Sequence, residues 1–200
     1  MRNAEATKER ILDAALAEFS AHGIAGARVD RIAQAARCNK NLIYIYFEDK
    51  EALFATVLRK HLMRIHEEQP FTPDDLPGYA AKVFDWAMAN PDLMRLMAWS
   101  ALEQQAKARA ERVAALQGKV AALTEAQDAN RVGTAFPPDF LLIAVMSLAT
   151  AWSAASPIGP SLAPKAAEHP AAPRKSIMEA VRLLANAEKG IRTQGRSKKR

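Results

Sequence analysis

The amino-acid sequence predicts an all-α protein of about nine helices, and its composition, apolar periodicity and chain breakers all support this class. Half of the 200 residues are apolar, and alanine, leucine and arginine recur throughout the chain. That composition favours helices over strands. Apolar side chains recur at three- and four-residue steps, as in helices with one buried face. We therefore expect three N-terminal helices followed by a larger helical region.

Three helices fit within the first fifty residues. The first begins near Thr7 and ends at His22 and Gly23, because glycine can adopt a left-handed conformation after the last turn. A second, short helix covers residues 29–36, and a third begins near Asn39, a good N-cap residue. Two short helices joined by a tight turn form a helix-turn-helix, whose second helix can enter a DNA major groove.

The rest of the chain predicts a second helical domain. Prolines interrupt the helical pattern near residues 70–78 and 155–173, where we expect loops. We therefore expect a helix-turn-helix domain at residues 1–50 and a larger helical domain at 51–191. The basic segment 192–200 is expected to be a disordered tail.

The net charge of +6 does not itself indicate DNA binding. Six basic and no acidic residues lie in 189–200, and the rest of the chain has 22 of each sign. The excess charge is therefore a property of the tail, and DNA binding has to be argued from local arrangement. Such a tail is more typical of a solubilising or non-specific phosphate-binding extension than of a second DNA reader.

The composition disfavours several other classes of protein. The single cysteine, Cys38, cannot form an internal disulfide and fits a reducing cytoplasm, where we place the protein. We expect this thiol to be an inert small residue. The four histidines lack metal-ligand spacing, and the sequence contains no nucleophile-base pair or phosphate loop. We therefore expect no metal, cofactor or enzymatic activity. The longest apolar run, 140–155, is shorter than the roughly 20 residues of a membrane span.

The third helix has an unusual outer face. Ile43 and Phe47 lie four residues apart and would pack inward, so Asn41 and Ile45 point outward. A solvated helix has no use for an exposed isoleucine, whereas a major groove offers thymine methyls and purine edges. A bundle helix with an odd surface patch is the alternative. The predicted DNA contacts are Asn39, Lys40, Asn41, Leu42, Tyr44, Ile45, Tyr46 and Lys50, with the tyrosine hydroxyls and Lys50 directed at phosphates.

A signature of spaced residues runs through the same region. It comprises F-x-x-x-G at 19–23, IA-x-x-A at 32–36, and IYIYFEDKEALF at 43–54. In order and spacing, these elements resemble the N-terminal domain of TetR-family regulators. The resemblance implies a bacterial homodimer that places two third helices in successive major grooves, about 34–36 Å apart, on a palindromic operator.

Five positions, at three places in the motif, depart from the family pattern. The family usually has glycine and valine in the turn where this chain has Arg37 and Cys38, and glycine-threonine where Asn41 and Leu42 stand. Arg28 replaces the serine or threonine before the second helix, and an arginine cannot cap that helix by accepting a hydrogen bond. Arg28 and Arg37 are therefore candidates for direct phosphate contacts. These departures affect the expected operator sequence.

Tryptophan and methionine side chains cluster on two consecutive helices of the second domain. Core packing is the default explanation, although methionines beside aromatic rings also suit an apolar ligand. The resemblance implies a small-molecule effector inside this bundle. The candidate effector contacts are Phe84, Trp86, Met88, Met94, Met97 and Trp99.

The helix at 140–153 is apolar on all sides and must be covered all round. The resemblance implies that the last two long helices pair with their copies in a second subunit, and burial within one subunit is the alternative. The candidate interface residues are Leu141, Val145, Leu148, Trp152, Ile177, Val181 and Leu184.

The function expected from these observations is sequence-specific transcriptional regulation. We expect a repressor that a small apolar effector releases from its operator. The alternatives are an architectural DNA-binding protein without an effector and a small helical ligand-binding protein. The first alternative predicts binding without a preferred site and with a steep salt dependence.

Overall fold

The computed structural model describes residues 2–68, 70–102 and 106–187. The chain in these ranges forms ten α-helices and two 3-10 helices, with no strand, so the all-α class is confirmed. The predicted tail at 192–200 lies outside the described residues. The helices are α1 (Arg2–Gly26), α2 (Val29–Ala35), α3 (Lys40–Phe47), α4 (Lys50–Glu68), α5 (Leu76–Ala89), α6 (Pro91–Leu102), α7 (Ala106–Asp128), α8 (Pro138–Thr150), α9 (Gly159–Leu162) and α10 (Ala171–Ala185), and the 3-10 segments are Pro73–Asp75 and Pro164–Ala167.

The count exceeds the expected nine helices because of α9, a single turn within the predicted loop at 155–173. The carbonyl of Ile158 accepts hydrogen bonds from the backbone N–H groups of Ser161 and Leu162, at 3.1 and 3.0 Å. Pro160 stands in the first turn of α9, where a helix has no use for the missing N–H group. Prolines therefore shape this segment without excluding a helical turn.

The first helix runs past its predicted end at Gly23, but it breaks there. Gly23 has φ 64° and ψ −177°, a conformation that is essentially restricted to glycine. One further turn follows, in which the N–H group of Ala27 donates to the carbonyl of Gly23 at 3.2 Å. The glycine of the F-x-x-x-G element thus permits the bend that leads from α1 to α2.

Two apolar cores hold the helices together. The N-terminal core consists of buried side chains from α1 to α4 together with Leu93 and Leu96 of α6. The Phe19 and Phe54 rings meet edge to face in it, with centroids 5.1 Å apart. The C-terminal core consists of buried side chains from α5, α7, α8 and α10, with Val132 of the α7–α8 loop. Each fully buried large side chain contributes about 1.5–3 kcal/mol, so these cores supply most of the favourable free energy of folding.

The N-terminal core extends past the predicted domain boundary at residue 50. That boundary coincides with the start of α4, yet α4 contributes Leu53 and Phe54 to this core, and α6 packs along α1. The indole N–H of Trp99 in α6 donates to the carbonyl of Ser20 in α1, at 3.3 Å. The division into domains stays a prediction, but the two parts share apolar contacts and a hydrogen bond.

The loop between α7 and α8 ties three helices together. The Gln127 side-chain amide donates to the carbonyls of Gly133 and Phe136, at 2.7 and 2.9 Å. The N–H group of Gly133 donates to the carbonyl of Ala185 at 2.6 Å, so the loop satisfies a carbonyl at the end of α10. A methyl group on Gly133 would lie 2.9 Å from the Ala185 oxygen and closer still to the oxygen of Ala187.

We predict that Gly133→Ala lowers the free energy of unfolding by about 1–3 kcal/mol, because the added methyl group forces the loop away from α10. Chemical denaturation measures this change. The matched control is Gly118→Ala, since a methyl group at exposed Gly118 meets nothing within 4 Å and lies inside α7. That control should gain about 0.5–1 kcal/mol from helix propensity. Equal stability of the two variants would contradict the tight loop contact.

Candidate DNA-binding surface and effector domain

The third helix presents the two faces that the sequence predicts. Ile43 and Phe47 are 1% and 4% exposed in the N-terminal core, whereas Ile45 is 71% exposed and Asn41 is also exposed. The Asn39 side chain accepts a hydrogen bond from the N–H group of Asn41 at 2.9 Å, so Asn39 is the N-cap of α3. The start and rotation of α3 are thus fixed by its own residues.

The turn before α3 contains an arginine in a strained conformation. Arg37 has φ 52°, in the left-handed region that favours glycine. Its N–H group donates to the carbonyl of Gln34 and that of Cys38 donates to Ala33, at 3.1 and 3.0 Å. These bonds form a Schellman motif, in which glycine is the usual residue at the position of Arg37. The departure from the family pattern therefore has a conformational cost.

Neither Arg37 nor Cys38 has a described role beyond this turn. The Arg37 side chain is exposed, as a phosphate contact requires. Burial raises the pKa of the Cys38 thiol, although nearby Arg10 opposes the shift. A protonated thiol is a weak nucleophile, and this fits the expectation of an inert residue.

The second helix is capped from another helix. Arg28 is its N-cap residue and makes no side-chain capping bond, as expected. Glu18 of α1 accepts hydrogen bonds from the Arg28 backbone N–H at 2.9 Å and from the Arg31 Nε at 2.7 Å. Burial raises the pKa of Glu18, but the bonds from Arg31 and Arg28 outweigh this effect and leave the pKa below its ordinary value. The Arg28 side chain takes no part in this cap. It is exposed and stays a predicted phosphate contact.

Sequence reasoning missed Glu18, although a signal was present. Glu18 lies three residues after Ala15 and seven after Ile11, which are both fully buried, so it occupies a position on the inward face of α1. An acidic residue on such a face needs a partner inside the protein.

Two of the predicted lysine contacts already have partners in the chain. Lys40 forms an exposed ion pair with Asp30 of α2, with 2.9 Å between Nζ and Oδ1. The hydrogen bond between them raises the pKa of Lys40 and lowers that of Asp30. The Lys50 ammonium donates to the carbonyl of Ala27 at 3.3 Å. Any phosphate or base contact by these lysines must compete with those interactions.

The start of α4 is less open to an anion than expected. Asp49 Oδ1 accepts a hydrogen bond from the N–H group of Ala52 at 2.6 Å, so Asp49 caps α4 and occupies one of its free donors. Tyr46 and Leu42 are half-buried, and the Tyr46 ring packs against the N-terminal core. Tyr44 is 42% exposed. Asn39, Lys40 and Asn41 are exposed, as is Ile45, and DNA contact by all of the predicted residues stays a prediction.

The six candidate effector residues lie on α5 and α6. Trp86 and Met97 pack against the N-terminal core, and Met88 packs against the C-terminal core. Phe84 is fully buried, edge to face with Trp152 at a centroid distance of 6.4 Å. These contacts are the core packing that the sequence offered as the default explanation.

The remaining two candidates lie on α6. Met94 is buried, and Trp99 is half-buried with its indole N–H bonded to Ser20. Effector contact stays a prediction for all six residues.

The structure corrects the choice of interface residues on α8 and α10. Leu141, Val145, Ile177 and Val181 are at most 2% exposed within the single chain. They form the chain's own C-terminal core and leave almost no surface for a second copy. Leu148, Trp152 and Leu184 are half-buried against the same core. The large apolar side chains that remain exposed on these two helices are Phe140, Ile143 and Leu183.

In residues 2–68, 70–102 and 106–187, no helix has both the length and the apolar character needed to cross a bilayer. The same ranges contain no group of three side chains placed to bind a metal ion.

Comparison with known proteins identifies both parts of the chain. Residues 11–57 match the family model described as bacterial regulatory proteins, tetR family, and residues 75–182 match a tetracyclin repressor-like C-terminal domain. The transcriptional repressor SCO4008 of Streptomyces coelicolor is 42% identical over 159 residues, covering 78% of this chain and 82% of its own. The transcriptional repressor NicS of Pseudomonas putida is 30% identical over 126 residues, 59% of each chain.

Solved structures share the fold. The crystal structure of the transcriptional regulator SCO4942 from Streptomyces coelicolor superposes with a TM-score of 0.78 at 38% identity, covering 88% of this chain and 96% of its own. The regulator FadR from Bacillus subtilis, in complex with stearoyl-CoA, gives a TM-score of 0.66 over 88% of this chain and 97% of its own. At 19% identity the latter likeness concerns the fold alone.

The fold and the exposed third helix define a helix-turn-helix DNA-binding protein of the transcriptional regulator class. The chain belongs to the TetR family, because the family models cover most of its length and SCO4008 aligns with both parts. The resemblance found in the N-terminal signature is thereby confirmed.

We predict that Arg37→Gly raises the free energy of unfolding by about 1 kcal/mol relative to Arg37→Ala, since only glycine adopts φ 52° without strain. Both variants remove the same charge, so both should weaken DNA binding to a similar extent. Denaturant titration and gel-shift assays measure the two effects. An Arg37→Ala protein as stable as Arg37→Gly would show that the turn carries no strain.

Proposed function

We propose that the protein is a homodimeric, cytoplasmic repressor without catalytic activity, released from a palindromic operator by a small-molecule effector. The observation that carries this proposal is the rotation of α3. Ile43 and Phe47 are buried, and Asn41 and Ile45 are exposed on the opposite face. Both SCO4008 and NicS are named as transcriptional repressors, which supports repression over activation.

The proposed docking places α3 in a major groove. The Asn41 amide reads a purine edge, and Ile45 contacts a thymine methyl. Lys40 exchanges its bond with Asp30 for a purine edge or a phosphate. Arg28 and Arg37, both exposed at the ends of α2, bind phosphates on the flanking backbone. The hydroxyl of Tyr44, at the edge of the exposed face of α3, donates a hydrogen bond to a phosphate.

The proposed dimer pairs α8 and α10 with their copies. The exposed Phe140 and Ile143 on α8 and Leu183 on α10 support this choice, because three exposed apolar side chains on two adjacent helices are poorly suited to solvent. This set replaces the four buried residues chosen from the sequence. A two-fold axis between the subunits would set the distance between the two α3 helices to one turn of DNA.

The proposed effector acts through α6. This helix contributes Leu93 and Leu96 to the N-terminal core, and its Trp99 is bonded to Ser20 of α1. A ligand that binds beside α5 and α6 would therefore move α1 and change the spacing of the two α3 helices. Release requires the ligand to prefer one spacing, by typically 1–3 kcal/mol.

We predict that Ile45→Ala weakens binding to the cognate operator by about 5- to 100-fold, as expected when one apolar base contact is lost. Selection from random DNA first identifies the operator, and fluorescence anisotropy then measures affinity for it and for a scrambled duplex. The loss should be confined to the operator, because the contact is with a base and not with a phosphate.

The control for this experiment is Ile158→Ala, which truncates an equally exposed isoleucine far along the chain. Its operator affinity should equal that of the unmodified protein. If Ile45→Ala also left the affinity unchanged, the docking of α3 would be refuted. If selection returned no preferred sequence and binding fell steeply with salt, the architectural alternative would replace the repressor.

We predict that Ile143→Glu converts the dimer into a monomer, because a carboxylate buried at a two-fold axis faces its own copy. Sedimentation velocity measures the change. The control is Leu162→Glu on α9, where the side chain is 82% exposed and lies outside the proposed interface. Should Ile143→Glu remain dimeric, the interface lies on another surface.

A further inference from the structure

Lys119, which has no acidic partner in the described part of the chain, lies at the edge of the C-terminal core. The Lys119 ammonium in α7 donates to the hydroxyl of Tyr79 in α5 at 2.6 Å. It also lies 5.7 Å from the centroid of the Phe71 ring. Phe71 and Tyr79 meet edge to face, with centroids 4.9 Å apart. The Tyr79 hydroxyl and the Phe71 ring therefore hold this cation.

The hydrogen bond, and not the ring face of Tyr79, fixes the ammonium. Its Nζ is 2.6 Å from the hydroxyl oxygen but 5.2 Å from the ring centroid, so it lies beyond the hydroxyl end of the ring. Tyr79 is fully buried, and its hydroxyl makes a long contact of 3.9 Å with the sulfur of Met146 in α8. The cluster thus joins α5, α7 and α8.

The charge of Lys119 is not neutralised within the described part of the chain. No carboxylate there lies within the 4.0 Å of an ion pair, whereas Arg131 nearby on the chain is paired with Asp74. Lys119 is half-buried, and a half-buried ammonium loses part of its hydration without a counter-charge to compensate. An ammonium has three donors, and the Tyr79 hydroxyl takes one of them.

We infer that Lys119, Tyr79 and Phe71 form a binding subsite for the carboxylate of an amphiphilic organic acid. The ammonium binds the carboxylate through its remaining donors, and the apolar body packs against Phe71 and the neighbouring core. This inference rests on the proposed function, because it gives the chemical class of the effector. The single positive charge matches a singly charged carboxylate better than a doubly charged phosphate.

The position of the subsite fits a ligand that changes the helix arrangement. The carboxylate of a bound acid would hold α7 through Lys119. The apolar body of the same acid would contact Phe71, in the segment that leads into α5. α5 continues into α6, which shares the N-terminal core with α1. A bound acid therefore connects the C-terminal core to the helices that carry the DNA-binding surface.

The experiment uses the full-length protein and a panel of straight-chain and aryl carboxylates, each paired with the neutral carboxamide of the same body. Melting temperatures select the ligands, and calorimetry gives their affinities. We expect at least one carboxylate to bind about tenfold more tightly than its amide, as a charge-assisted hydrogen bond provides. In Lys119→Met this preference should disappear, and in Lys119→Arg it should persist. The matched control is Lys82→Met, which removes an exposed lysine of α5.

Several results would overturn the inference. If no carboxylate stabilises the unmodified protein more than its amide, the subsite does not exist; this comparison needs no variant and so does not depend on whether Lys119→Met folds. If Lys119→Met still binds the carboxylate more tightly than the amide, another residue binds the anion. If a phosphate ester with the same apolar body binds more tightly than the carboxylate, the ligand class is a phosphate and not a carboxylate.

Operator release is measured separately by anisotropy. A carboxylate that binds through Lys119 without releasing DNA refutes the effector role but leaves the subsite. Release by acids and amides alike supports the effector role but refutes the subsite.

Discussion

The burial of Ile43 and Phe47 is the constraint on which the DNA-binding surface depends. Because these side chains are four residues apart, placing both in the N-terminal core leaves one possible rotation for α3. The N-cap at Asn39 fixes where the helix starts, and the Schellman turn at Arg37 fixes its direction. The exposed face of α3 therefore makes no contact that the position of the helix depends on. Its residues can be substituted to recognise another operator while the fold is retained.

The sequence predicts best where a helix has one apolar face. In α1, in α3 and in the part of α4 whose side chains are described, periodicity identifies the buried side, and the opposite side is exposed as expected. On α8 the pattern fails, since a helix that is apolar all round gives no information on which side meets its own chain. Leu141 and Val145 therefore lie in the core, and Phe140 and Ile143 lie outside it. Periodicity places Glu18 on the inward face of α1, but its partner, the backbone N–H group of Arg28, appears only in three dimensions.

The position of α6 explains how one small protein can have two functional parts without a flexible hinge. Leu96 is fully buried among side chains of the first four helices, so α6 cannot move far without repacking that core. Packed cores of this kind switch between discrete arrangements and do not deform continuously. The bond between Trp99 and Ser20 adds a directional link to the apolar contact. In the proposed mechanism, a displacement in the C-terminal core is transmitted to α1, whose bend at Gly23 leads into the helix-turn-helix.

Lys40 and Lys119 differ in how their charges are neutralised, and this difference separates their proposed roles. Lys40 is paired with Asp30, so DNA has to replace an existing partner. That exchange lowers the gain from any phosphate and favours sites where base contacts supply the remainder, which promotes specificity over general affinity. Lys119 has a neutral partner, the Tyr79 hydroxyl, and a ligand anion would add to this bond without displacing a carboxylate. In the proposed function, the balanced charge of Lys40 restrains DNA binding, and the unbalanced charge of Lys119 favours capture of a small anion.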